Sequence, residues 1–313
     1  MRRALIFITT IVLLTGGGFL VRGFSQQEPS NPNIAHLDRS PSQPPRPQQY
    51  RRIISLAPSI TEVLFSLGLG DRVVGVTRYC DYPPEALEKP KIGGYFDINY
   101  EAIIIANPDL VVLLKEHDKP RENLKRLGIE TLTVDHSSVD GIMESIRLIG
   151  KKTGKMEAAE KILLTIGKRI ERVKNLTVGL TRPSVMVAVG RNLQTGAAGA
   201  VYISGKDGFY DELISMAGGK NAYTEDTLKF PALSAEGVAR LNPQVIIEMV
   251  PDVTDTQTDE KMMKKWRSIP RLDAVRKGRV YVFNEDYVVI PGPRFVLLLE
   301  EMARVIHPEA RWE

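Results

Sequence analysis

Short apolar runs alternate with amphipathic stretches along most of this chain, and the alternation predicts strands feeding helices. Residues 52–57 (RIISLA) form a short, mostly apolar run, the pattern of a buried strand. Pro58 follows, then Ser59-Ile60-Thr61-Glu62, which has capping-box spacing: a Ser59 hydroxyl for the third helical amide and a Glu62 carboxylate reaching back. That helix runs to Leu67 and stops at Gly68. Further on come a strand at 72–77, a short helix from Glu101, a strand at 109–114, a helix from Pro120 to Gly128 and a strand at 130–134. Strand–helix alternation of this kind predicts a parallel α/β lobe.

Between 137 and 176 the pattern changes. Ile142, Ile146 and Ile149, then Ile162, Ile166, Ile170 and Val173, recur at helical spacing with only Gly150 and Gly154 as punctuation. The spacing predicts one long helix, with a kink near Gly154, reaching more than about 40 Å at ~1.5 Å per residue. The alternation then resumes, with a strand at 184–189, helices at 209–217 and 236–241, and a strand at 245–249.

The second half repeats a phrase of the first. Residues 101–112 read EAIIIANPDLVV and residues 236–247 read EGVARLNPQVII; LFSLGLGD at 64–71 likewise matches LISMAGGK at 213–220. Self-similarity at about half the chain length predicts two related lobes. The expected fold is α/β: two Rossmann-like lobes, 51–136 and 177–313, joined by one long rigid helix over 137–176, with a ligand cleft between them.

The N-terminus is set apart. Met1-Arg2-Arg3 followed by an apolar or small stretch over 4–21 reads as an export signal with Gly23 and Ser25 as small residues for cleavage, or as an uncleaved anchor, over residues 1–25. No cysteine stands near its end for lipidation. Residues 26–50, rich in Pro, Ser, Gln and Asn, read as a disordered tether, and His36 within it carries no site.

Composition adds little. The 313 residues are 43% hydrophobic and 26% charged, enough for two domains, and a net charge of +4 spread along the chain gives no nucleic-acid surface. The single cysteine, Cys80, rules out an internal disulfide and has only Arg78 as a basic neighbour, so it is not a nucleophile. Catalytic phrases are missing: no G-x-G-x-x-G after the first strand, no phosphate-binding loop, no G-x-S-x-G elbow and no zincin-spaced histidines, so an enzyme on this fold is the remote alternative.

Four segments carry a family resemblance: IISLAPSITEVLFSLGLGDRVVGVT; the loop Tyr79-Cys80-Asp81-Tyr82-Pro83-Pro84-Glu85; the Glu-x5-Asn-Pro phrase in each lobe; and RLDAVRKGRVYVF with Pro291-Gly292-Pro293-Arg294. Over residues 51–308 the chain resembles the periplasmic substrate-binding proteins of ABC importers that have a helical linker, and within them the cobalamin binders. The resemblance implies a monomeric, extracytoplasmic binding protein, not an enzyme. It would capture a corrinoid, with no cofactor and no structural metal, and deliver it to a permease dimer with its ATPase subunits.

The same resemblance implies that Glu101 and Glu236 dock on the permease, beside their local role as acidic first-turn residues behind Asn99 and Ser234. It implies ligand contacts from Tyr79, Asp81 and Tyr82, from Tyr95, Phe230 and Tyr287 where larger rings are usual, and from Arg294. For the aromatics the alternative is core packing, and for Arg294 it is pairing with an acid. His117 ends a strand and is expected at the rim, with axial ligation of cobalt as the lesser alternative. Haem, through Tyr79, Tyr95 or His117, and an anionic siderophore, through arginines, stay open as ligands.

Overall fold

The computed structural model of the chain describes residues 50–312, apart from 192–199, 226–227 and 252–255. The expected signal or anchor and most of the expected tether lie outside the described residues.

The first half contains β1 (Ile53–Ser55), α1 (Pro58–Ser66), β2 (Val73–Val76), α2 (Tyr100–Ala106), β3 (Leu110–Leu114), α3 (Asp118–Arg126) and β4 (Thr131–Val134). Two helices follow, α4 (Val139–Thr153) and α5 (Met156–Thr177). The second half contains β5 (Ser184–Arg191), β6 (Val201–Ile203), α6 (Phe209–Met216), β7 (Lys220–Asn221), β8 (Ala232–Leu233), α7 (Ala235–Leu241) and β9 (Val245–Met249). It closes with α8 (Thr256–Arg267), α9 (Asp273–Arg276), β10 (Val280–Phe283) and α10 (Phe295–Ile306).

Among the described residues the strands form two sheets. The first is parallel in the order β2-β1-β3-β4. All residues of β1 and β3 are buried, as expected where helices cover both faces of a sheet. In the second, β7, β5, β9 and β10 repeat that order with parallel pairing, and β6 and β8 add an antiparallel edge. The duplication extends to backbone angles. Asn107 ends α2 and Asn242 ends α7, both left-handed at φ 42°, and each precedes the proline that stops the helix.

The segment expected as one helix is two. Gly154 is left-handed at φ 72° and ends α4, and α5 starts afresh at Met156. The chain folds back there. A Cβ on Gly150 would lie 2.6 Å from the Ala159 Cβ, and Arg147 Nε reaches Glu160 at 3.4 Å, pairs that a continuous helix would hold ~13 and ~20 Å apart. The isoleucine periodicity is real but belongs to two helices that bury their faces in one core. α5, 22 residues and so ~33 Å long, is the long element.

That core runs through both lobes. One apolar cluster takes in Ile53 and Val112 of the first sheet, Ile142 and Ile166 of the connecting helices, and Val187, Ile247 and Leu298 of the second half. Opening the lobes would expose it, so they resist a wide hinge motion.

The capping box at Ser59 is not formed. Pro58 occupies the first turn and Ala57 is the N-cap, which moves Ser59 into the helix. Ser59 Oγ instead meets His136 Nδ1 at 2.8 Å, and Glu62 leaves its own helix for Arg294.

Candidate functional site

In the first sheet β1 lies between β2 and β3, so the winding reverses beside it; open α/β sheets bind ligands outside the carboxyl ends of such strands. The loops leaving β2 and β3 carry most of the expected site residues. Lys91 Nζ donates to the carbonyls of Cys80 and Ala86 at 3.1 and 3.2 Å, pinning the 79–86 loop from behind. Cys80 points inward to Thr61 and Thr77, and burial pushes its thiol up, so it anchors the loop as an inert thiol. This leaves Tyr79, Asp81 and Tyr82 exposed on the outer side.

The next part of the loop differs from the sequence expectation. Tyr95 is half-buried, its hydroxyl donates to Glu116 Oε1 at 2.7 Å, and its ring meets the His117 ring edge-on at 4.5 Å. Burial, with Glu116 beside it, drives the Tyr95 phenol well above its usual range. Phe96 is the presented ring, 68% exposed. Sequence reasoning passed over Phe96, the ring adjacent to Tyr95 in the same loop. His117 is fully buried rather than at a rim. Its Nδ1 accepts the Leu114 amide at 3.3 Å, and burial lowers its imidazole pKa, so the ring is neutral.

From the second lobe, Phe230 is exposed and packs at 6.5 Å on Tyr210, whose hydroxyl donates to the Val288 carbonyl at 2.7 Å. Tyr287 takes the core alternative: it is 9% exposed and its hydroxyl donates to Glu301.

Arg294 takes the pairing alternative, but with buried partners. It is 14% exposed, donates to Glu62 at 2.6 Å and forms two 2.7 Å bonds with Asp286. Its guanidinium also lies 3.7 Å from the centre of the Tyr82 ring. Arg294 thus ties α1 and the Tyr82 loop of the first lobe to the start of α10. Burial works against its charge, but the bonds to Glu62 and Asp286 outweigh this and raise its pKa. Burial pushes the Glu62 carboxyl up, with Arg294 pulling the other way. Arg78 is likewise committed, to Asp97.

Glu101 and Glu236 sit exposed at equivalent places on α2 and α7. Behind them Asn99 and Ser234 accept the amides of Ala102 and Gly237 at 3.0 and 3.2 Å, the expected caps.

The sequence pattern of the periplasmic binding protein family matches residues 53–287. The chain belongs to that family. A periplasmic binding protein captures a solute for an ABC importer, and this chain is such a substrate-binding protein rather than an enzyme; what it carries is a transported ligand, not a cofactor. It is 30% identical to an uncharacterized ABC transporter substrate-binding lipoprotein of Bacillus subtilis, over 83% of this chain and 81% of the relative. It is similar to the structure of the periplasmic vitamin B12 binding protein of Vibrio cholerae, with 25% identity, a TM-score of 0.70, and coverage of 83% of this chain and 97% of that one. It is also similar to a periplasmic heme-binding protein from Roseiflexus, with 25% identity, a TM-score of 0.69, and coverage of 83% and 99%. The two-lobe fold is the one shared across these binding proteins, and their ligands differ. For this binding protein the ligand must therefore be argued from its own loops.

Proposed function

We propose that this binding protein captures cobalamin, a corrinoid, between its lobes and hands it to a cognate importer permease with its ATPase subunits. The observation that carries the reading is the charge state of the loops. The arginines beside the exposed rings are already neutralised, Arg294 by Glu62 and Asp286 and Arg78 by Asp97. What remains presented is mainly aromatic: Tyr79, Tyr82, Phe96 and Phe230, with the Asp81 carboxylate among them. Such a surface suits a flat macrocycle edged with amides and methyls better than an anionic siderophore, which calls for free guanidinium groups.

Haem is the second ligand to weigh, because a heme-binding protein is among the similar structures. Two of the three side chains that would ligate its iron are held away from the surface, Tyr95 by its bond to Glu116 and His117 by burial inside the lobe. The test is retention. Protein mixed in turn with cyanocobalamin, haemin and a ferric siderophore is expected to carry corrin absorbance through gel filtration; carrying haemin or the iron complex alone would sink the proposal. Phe96→Ala is expected to weaken cyanocobalamin binding by roughly 2–10-fold, the worth of one aromatic contact. Tryptophan emission is a poor reporter, since Trp266 is buried in the second lobe and Trp312 donates to the His307 carbonyl.

Glu101 and Glu236 are assigned to docking. The double variant Glu101→Ala, Glu236→Ala is expected to keep its ligand affinity and lose stimulation of the permease ATPase; equal stimulation by both proteins would remove the assignment. This reading places the folded part outside the cytoplasmic membrane, with residues 1–25 as export signal or anchor. Among the described residues no helix is long and apolar enough to cross a membrane.

A further inference from the structure

The two tips that carry Glu101 and Glu236 are not alike. Laying the repeated phrase on itself sets Glu101 on Glu236, Ile103 on Val238, Ile104 on Ala239 and Ile105 on Arg240. Both helices have seven residues, open on a side-chain cap and close on a left-handed asparagine at φ 42°. Equal caps and equal length fix the same helical phase, so the differing residues occupy equivalent places. Ile103 and Val238 are buried in both. Beyond them the tips diverge. On α2, Ile104 is 53% and Ile105 77% exposed. On α7, Arg240 turns back to Glu236 at 3.7 Å, whereas Glu101 has no ion pair among the described residues.

We propose that the α2 tip is an apolar plug. Ile104 and Ile105 seat against an apolar surface of the membrane-embedded permease subunit, beside the cation that receives Glu101. The first lobe then carries most of the docking affinity, and the protein sits on a two-fold permease in one preferred orientation. This rests on the docking assignment of Glu101 and Glu236.

Three features select that occupant. Ile104 and Ile105 follow Glu101 by three and four residues, so they share its helix face and extend the same contact. A second copy packed two-fold on this tip would bring two Glu101 carboxylates together, which is unfavourable without cations between them. An anionic lipid surface would repel Glu101 in the same way. A partner offering a cation next to apolar side chains satisfies both parts of the tip. On α7 the pairing of Glu236 with Arg240 must be broken or shared on docking, and Ala239 and Arg240 stand where α2 has its two exposed isoleucines.

The test uses the full chain. Ile105→Cys, labelled with a benzophenone maleimide, is cross-linked in membranes; Cys80 is buried and stays unlabelled. The expected product is an ABC permease subunit identified by mass spectrometry; a cross-link to a second copy of this chain, or to lipid alone, overturns the proposal. That permease–ATPase complex in nanodiscs is then titrated. Ile104→Ser with Ile105→Ser is expected to weaken docking at least about tenfold, the scale of losing one buried isoleucine. Ala239→Ser with Arg240→Ser is expected to change it less than about threefold, and cyanocobalamin binding should be unchanged in both. If the isoleucine pair has no effect while Glu101→Ala with Glu236→Ala still weakens docking, the plug is wrong and the docking assignment stands. If neither pair has an effect, both fall.

Discussion

Replacing Arg294 with methionine is expected to lower the unfolding free energy by about 3–5 kcal/mol, because it strands the buried Glu62 carboxylate. Glu62 is 2% exposed and takes its charged hydrogen bond from Arg294, so no solvent stands in for the lost partner. Asp286 is better hydrated and suffers less. In a domain of this size the midpoint of thermal unfolding should fall by roughly 6–20 °C. The double variant Glu62→Met, Arg294→Met should recover part of the loss, since two apolar groups replace the pair. The measurement is urea unfolding of both variants beside the native protein. A single variant within about 1 kcal/mol of native would show that the pair does not join the lobes energetically. Because Arg294 also covers the Tyr82 ring, the single variant should lose ligand affinity as well, whereas a contact confined to the core would leave affinity alone.

The second large effect is in pH. His136 is buried between Ser59 and Ser145, with its ring nitrogens 2.8 and 2.7 Å from the two hydroxyls, and burial lowers its pKa to about 4. An unfolded histidine titrates near 6.5. The folded pKa is depressed, so the unfolded state binds the proton more tightly, and stability is present in full above about 6.5. It is lost as pH falls from there toward about 4. Between pH 7 and 5 the expected loss is roughly 2 kcal/mol at ~1.36 kcal/mol per unit. His117, also lowered by burial, acts in the same direction. Denaturant midpoints at pH 7, 6 and 5 measure this, and His136→Gln should flatten the profile. A native profile already flat over that range would contradict a neutral buried imidazole.

Local patterns were legible where the physics is local. The strands β1 and β3 appear as short apolar-rich runs because both faces are covered, and Asn-Pro marks the ends of α2 and α7 because a left-handed asparagine followed by proline cannot continue a helix. The caps Asn99 and Ser234 follow the same logic. What failed were inferences about where a side chain spends its hydrogen bond. Ser59 and Glu62 have capping-box spacing, yet a buried histidine and a buried arginine outbid the helix terminus for them. The isoleucines of 142–173 give the helical period correctly, but periodicity carries no information about a break in direction. One left-handed glycine, Gly154, turns a single rod into two packed helices.

The sequence by itself determined the α/β class, the duplicated lobes and the binding-protein family, since the alternation of strands and helices, the helix ends and the repeated phrase are written in contiguous residues. Only the tertiary structure decided which ring is presented at the loops, Phe96 rather than Tyr95 or Tyr287, and that Arg294 joins the lobes. Those outcomes depend on neighbours far away in the chain: Glu62 lies 232 positions from Arg294, and Glu116 lies 21 positions from Tyr95. A side chain's exposure is set by the groups that compete for it, and those groups become neighbours only when the chain has folded.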